Sequence, residues 1–189
     1  MVGFSPDDQI EDAIVNTIKE ASDSVSMMVF KLNSKAIVAV LEEAIRRNVN
    51  VRVIVDRKLL RKKSDAAILQ NSNIPYKIYE GINGEILHHK VTIVDSDLVI
   101  VGTGNYVEED FKNNQESIVI IESAPLFNYF ALEFEGLWNR ANRNKELIER
   151  KKILKPYTVY GKLRRNWLKM TLLLISLLAN LYLIYSNNW

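Results

Sequence analysis

Two short apolar runs separated by three polar residues constrain this chain more than any other stretch. They are Val91-Thr92-Ile93-Val94 and Leu98-Val99-Ile100-Val101, on either side of Asp95-Ser96-Asp97. The connection is short, so the runs predict two strands paired as a hairpin. Elsewhere apolar runs alternate with helical spacing. Residues 6–22 carry Ile10, Ala13, Ile14, Ile18 and Ala21 at helical intervals, and Ser5-Pro6-Asp7-Asp8 offers an N-cap followed by proline at the first helical position. Val25–Phe30 and Val51–Asp56 predict buried strands, and Ser34 begins a helix that runs through Ile45. Residues 58–71 predict a helix, Pro75–Tyr79 a short strand and Gly81–Gly84 a turn. Residues 124–145 predict a helix with Leu126, Phe130, Phe134, Leu137 and Trp138 on one side. Met27, Met28 and Phe30 are assigned to the core. This alternation implies an α/β domain over residues 1–145, a sheet with helices on both faces. That length is ordinary for one domain.

The hairpin also carries the chemistry. His88 and His89 are the only histidines in 189 residues, and they open the first run. Strand side chains alternate, so His88, Lys90 and Thr92 share one face, and His89, Val91 and Ile93 the other. A histidine beside a fixed cation suits attack on an anionic group such as a phosphate. Thr103 and Asn105 share a face at the end of the second run, and Gly102 and Gly104 flank the threonine and allow close approach of a ligand. Asn113-Asn114-Gln115-Glu116 precedes a further apolar run, Ile118–Ile121. A histidine, an ammonium, a hydroxyl, an amide and a carboxylate can therefore converge at strand ends. Adjacent strand histidines point apart, there is no cysteine, and no H-x3-H or H-E-x-x-H spacing occurs, so neither a metal nor a cofactor is expected. His89 is read as a packed or surface residue.

These residues form a pattern, H-x-K-x4-D at His88, Lys90 and Asp95, then Gly102-Thr103-Gly104-Asn105, then Glu116. The pattern resembles the signature of the phospholipase D superfamily. The resemblance covers roughly residues 3 to 143 and includes Phe4-Ser5-Pro6, Val51–Asp56 and Phe134–Trp138. Thr103 stands where serine is commoner and Val107 where threonine is commoner, and neither change removes a functional group. The resemblance implies a mixed sheet of that superfamily's type and metal-independent phosphodiesterase chemistry. It implies that His88 attacks phosphorus to form a phosphohistidine, while a second histidine protonates the leaving oxygen. Lys90, Thr103 and Asn105 are then expected to hold the phosphoryl oxygens, and Glu116 to hydrogen-bond the far ring nitrogen of a catalytic histidine. Asp95, of opposite parity to His88, is expected to act as scaffold near the site. One motif supplies one catalytic histidine, so the resemblance implies a homodimer with His88 of each copy meeting at a twofold axis.

Past residue 145 the composition changes. Residues 170–185 contain no charged side chain, and Trp167, Tyr182, Tyr185 and Trp189 lie near the ends of the apolar stretch. Such a stretch is long enough to span a bilayer, with aromatic anchors at its ends. Residues 167–187 are expected to form a single-pass C-terminal anchor, with a buried interface helix as the alternative. Residues 146–166 are expected to form a basic juxtamembrane linker. All 23 acids lie at or before Glu149, whereas Arg150, Lys151, Lys152, Lys155, Lys162, Arg164, Arg165 and Lys169 follow it. The part through 149 therefore carries −6 and the tail +8. A basic collar beside an apolar span predicts a cytoplasmic catalytic domain held against anionic membrane lipids. The chain opens Met-Val-Gly-Phe-Ser-Pro-Asp-Asp, which does not read as a signal peptide.

Substrate stays open between phospholipid and nucleic acid. The anchor favours lipid. The basic run Arg57–Lys63 favours a phosphate backbone, and the acidic charge of the domain opposes it. A membrane-tethered scaffold without turnover is a third reading.

Overall fold

The computed structural model describes residues 1–61 and 63–141, without the side chains of 61, 63–66 and 83. Seven strands form one mixed sheet. They are β1 (Val2–Ser5), β2 (Ser24–Val29), β3 (Asn50–Asp56), β4 (Tyr76–Tyr79), β5 (Lys90–Val94), β6 (Leu98–Gly102) and β7 (Glu116–Glu122), in the spatial order β1-β7-β6-β5-β2-β3-β4. The predicted hairpin is present, with Val91 opposite Val101 and Val94 opposite Leu98. β2, β3 and β4 run parallel, whereas β5 runs antiparallel to β2.

Helices α1 (Ile10–Glu20), α2 (Lys35–Arg46), α3 (Lys63–Gln70) and α4 (Glu108–Asn113) accompany the strands, and α5 spans 124–141. The central strands are covered on both faces, which explains their unbroken apolar runs. Val25, Met27, Val29, Val53 and Val55 pack with Ile14, Ile18, Ile37 and Leu41 of α1 and α2. Met28, Ile54, Val91, Ile93 and Val99 pack on the other face with Phe134 and Leu137 of α5. On this second face Arg52 bonds Glu135 at 2.7 Å and lies over the Phe134 ring at 4.8 Å. The Ser34 hydroxyl caps α2 by accepting the Ile37 amide at 3.1 Å.

Three expectations need correction. Ser5-Pro6 does not start a helix. Residues 2–5 form an edge strand on β7, where the Ser5 hydroxyl donates to the Asn114 carbonyl and accepts the Glu116 amide, so α1 begins at Ile10. The helix expected over 58–71 is a 3₁₀ turn, Arg57–Arg61, followed by α3. Phe30 is not core: Met27 and Met28 are fully buried, but Phe30 stands half-exposed past the end of β2. Among the described residues no helix is long and apolar enough to cross a membrane. The expected linker 146–166 and anchor 167–187 lie outside the described residues.

Strand direction decides where function can gather. The C-terminal ends of β2, β3 and β6 and the N-terminal ends of β5 and β7 lie at one end of the sheet. Asp95 lies at the other end. With φ of 53° it turns the hairpin, and its carboxylate accepts the amides of Ser24 (3.0 Å), Asp23 (2.8 Å) and Ser22 (3.1 Å). It is separated from Lys90 by the length of β5, about 16 Å by strand rise. Asp95 thus ties the hairpin turn to residues 22–24 at the end of the sheet away from His88, not near it as expected. Burial raises its pKa, yet the three amides and the Ser22 hydroxyl outweigh burial and hold it below the usual carboxylate value.

Asp95→Ala is expected to cost about 1–3 kcal/mol in urea denaturation at neutral pH, because three donors lose their acceptor. The depressed folded pKa means this contribution is complete above the unfolded value near ~3.9. The gap between wild type and variant should therefore close as pH falls through the folded pKa. A gap independent of pH would assign the effect to the turn backbone.

Candidate active site

Five strand ends supply the site. His88 lies in the extended segment just before β5, and Lys90 is its first residue. The amide of Phe30 donates to the His89 carbonyl at 3.0 Å, which extends the β2–β5 pairing beyond the strands and keeps the alternation in register. His88 and Lys90 consequently project to the same side. The Lys90 ammonium lies 3.2 Å from both ring nitrogens of His88 and donates to the His88 carbonyl at 3.0 Å. His89 points away and faces Glu133 at 3.8 Å. The Phe30 ring packs against the His88 ring, with centroids 5.1 Å apart.

Lys90 is only 6% exposed, and burial lowers its pKa, while the charges of Glu116 and Asp110 counteract the shift. The His88 pKa is lowered by burial, then by Lys90 and Lys58, with Asp56 acting in the opposite direction. Burial and cations thus hold His88 neutral at neutral pH, the form in which a ring nitrogen has a free lone pair.

Thr103, Asn105 and Glu116 gather at the same end of the sheet. The Thr103 hydroxyl donates to Glu116 at 2.5 Å and accepts the Ser117 amide at 3.0 Å. The second Glu116 oxygen accepts from Asn114 at 3.2 Å. Within one chain Glu116 makes no hydrogen bond to His88, so the expected histidine–carboxylate pair is not formed inside the protomer. Gly102 and Gly104 let β7 approach closely. A Cβ on Gly102 would lie 2.8 Å from the Ser117 carbonyl, and one on Gly104 would lie 3.0 Å from the Glu116 side chain.

Sequence reasoning missed three residues here. Asp110 accepts from the Asn105 amide at 2.8 Å, fixing which way that side chain turns. Tyr106 is fully buried, with its hydroxyl 3.0 Å from that of Thr92, and burial, partly offset by this bond, pushes its pKa up to about 12. Its backbone clamps the loop after β2: its amide donates to the Lys31 carbonyl, and its carbonyl accepts from Asn33 and Ser34. Asp56, 2% exposed, ends β3 and accepts the Lys58 amide at 2.8 Å and the Leu87 amide at 2.7 Å. An acid closing an apolar strand was the available signal for Asp56. Nothing in the local pattern marked Asp110.

Comparison with known proteins identifies a family for this fold. Residues 14–138 match the family described as "Cardiolipin synthase, PLD-like domain". The chain is 34% identical over 124 residues to a phospholipase D of Rickettsia conorii, covering 65% of this chain and 61% of that protein. It is 26% identical to the mitochondrial cardiolipin hydrolase of Canis lupus familiaris, covering 70% of this chain and 52% of that one. The chain therefore spans about three fifths and about half of those relatives. Among solved structures, Nuc of Salmonella typhimurium, a phospholipase D family member, superposes with a TM-score of 0.69 at 27% identity, covering 74% of this chain and 93% of Nuc. The histidine, lysine, hydroxyl and amide that the fold gathers at one sheet end sit within the matched segment, and the chain belongs to the phospholipase D superfamily.

Proposed function

We propose that this chain is a metal-independent phosphodiesterase of the phospholipase D type that hydrolyses a phospholipid phosphodiester at a homodimer interface. The observation that carries the reading is the buried Lys90 ammonium, 3.2 Å from both nitrogens of a His88 held neutral by its surroundings. A neutral imidazole beside a fixed cation is a nucleophile placed where an anionic phosphate is attracted.

In the proposed reaction a ring nitrogen of His88 attacks phosphorus, and the bond from phosphorus to the leaving oxygen breaks. His88 of a second copy, as imidazolium, gives that oxygen its proton and an alcohol departs. The same second histidine then takes a proton from water as the hydroxide attacks. The phosphorus–nitrogen bond breaks and a phosphomonoester is released. Lys90 and Asn105 hold the phosphoryl oxygens through both steps, and Thr103 joins them by turning its one hydroxyl proton from Glu116 to the phosphate. Each Glu116 oxygen accepts one hydrogen bond within its own chain and keeps a second lone pair, which in this reading takes the ring N–H of a histidine from the second copy. The uncharged stretch 170–185 with its basic collar supports a lipid substrate.

A nucleic-acid phosphodiester is the second reading. It is favoured by the basic turn Arg57–Arg61, whose Lys58 charge bears on His88. A scaffold without turnover is the third, and the gathering of His88, Lys90, Thr103 and Asn105 at one sheet end argues against it.

Asp56 acts as a positioning residue. One carboxylate holds the backbone on both sides of the site, next to His88 and at Lys58.

Three measurements test this reading. Anionic phospholipid vesicles and single-stranded DNA are supplied in parallel with EDTA present. Lipid turnover that falls by at least about 10³-fold in His88→Ala is expected. Cleavage of DNA alone selects the second reading, and activity abolished by EDTA rejects the mechanism. The depressed His88 pKa places the acid limb of kcat/KM below the ordinary value near ~6.5, because the attacking histidine stays neutral to lower pH. Asp56→Asn should lower kcat by roughly tenfold or more, as an amide cannot accept two backbone donors equally. It should also move the acid limb to lower pH, since the Asp56 charge supports protonation of His88. A lower rate with an unmoved acid limb would leave Asp56 a purely structural part.

A further inference from the structure

Three ammonium groups surround one phenyl ring at the site. Lys31, Lys58 and Lys90 place their Nζ atoms 5.7, 5.9 and 5.7 Å from the centroid of Phe30. The ring face attracts each cation weakly, which partly offsets their mutual repulsion. Lys90 is accounted for by its contact with His88. Lys31 and Lys58 are not, although both are fixed at the backbone. The Lys31 carbonyl accepts the amide of buried Tyr106, and the Lys58 amide donates to buried Asp56.

Neither lysine has a carboxylate partner among the described residues, whereas Arg52, Arg57, Lys112 and Arg140 each have one. The nearby Asp56 carboxylate is occupied by two backbone amides. A reacting phosphodiester brings one negative charge. Lys90 answers it, and two half-buried cations remain without a carboxylate partner among the described residues.

Building on the phosphodiesterase reading, we infer that Lys31 and Lys58, flanking Phe30, form a subsite for a second, non-reacting phosphate of the substrate. The substrate is then a molecule with two phosphates a short spacer apart. A nucleotide bearing phosphates at both ends and a glycerol bridging two phosphates both have this chemistry. A phospholipid with a single phosphate leaves the subsite empty. Phe30 sets the floor between the two phosphate positions, and its contact with His88 fixes the distance from the reacting group.

Binding can be tested without turnover. Calorimetry on the full chain would compare thymidine 3′,5′-bisphosphate with thymidine 5′-monophosphate, and glycerol 1,3-bisphosphate with glycerol 3-phosphate. At least one bisphosphate should bind about tenfold more tightly than its monophosphate, the size of one added charge-assisted phosphate contact. The preferred pair identifies a nucleotide or a glycerol spacer. The preference should vanish in the double variant Lys31→Gln/Lys58→Gln and return in Lys31→Arg/Lys58→Arg, which separates loss of charge from loss of fold. No preference in the wild type, or a preference kept in the glutamine variant, overturns the subsite. Absence of hydrolysis with a persisting bisphosphate preference would instead remove the enzymatic reading and leave the subsite standing.

Discussion

A carboxylate that is 2% exposed and accepts two backbone amides holds this site together. Burying an acid is costly unless its oxygens are satisfied, and Asp56 is satisfied by donors from two different loops. One donor precedes His88 by one residue and the other belongs to Lys58. The segment carrying the histidine is therefore tied to the end of β3 before it enters β5. Tyr106 performs the corresponding task on the neighbouring loops, joining the segment after β2 to the segment after β6. The candidate site thus rests on two buried polar residues that face no solvent.

The antiparallel placement of β5 beside the parallel β2–β4 layer gives these ties their effect. In a sheet of parallel strands alone, strand starts and strand ends lie on opposite sides. Reversing β5 and β7 brings their first residues to the level where β2, β3 and β6 finish. Residues distant in sequence, Phe30, Asp56, His88, Asn105 and Glu116, become neighbours through strand direction. Electrostatics follow from this convergence: cations dominate around His88, and the acids Glu116 and Asp110 bear on Lys90.

Much of this was legible in the residues. The hairpin was marked by two apolar runs around a polar turn, and its alternation placed His88 with Lys90 and apart from His89. The both-face burial of β2 and β3 was marked by runs too apolar to have a wet side. What escaped was whatever depends on pairing between distant segments. Ser5-Pro6 looked like a helix start because serine and proline cap helices, yet the strand β7 beside it uses the serine hydroxyl. Phe30 looked like core because it ends an apolar run, and one further residue carried it past the sheet. Asp95 was assigned near the site because it belongs to the motif. Spacing of five residues along an extended strand instead takes it to the opposite end. Within one chain the Glu116 oxygens accept from Thr103 and Asn114.

The contact between Gly104 and Glu116 has a consequence for reading variation in this chain. A side chain at Gly104 would have to share space with the Glu116 stem, 3.0 Å from where its first carbon would be. Gly104 has no group that binds or reacts. Its lack of volume nevertheless sets the position of a carboxylate and, through that carboxylate, of the Thr103 hydroxyl. In a catalogue of tolerated substitutions such a glycine behaves like part of the chemistry, so the functional surface of this domain is larger than its set of reactive atoms.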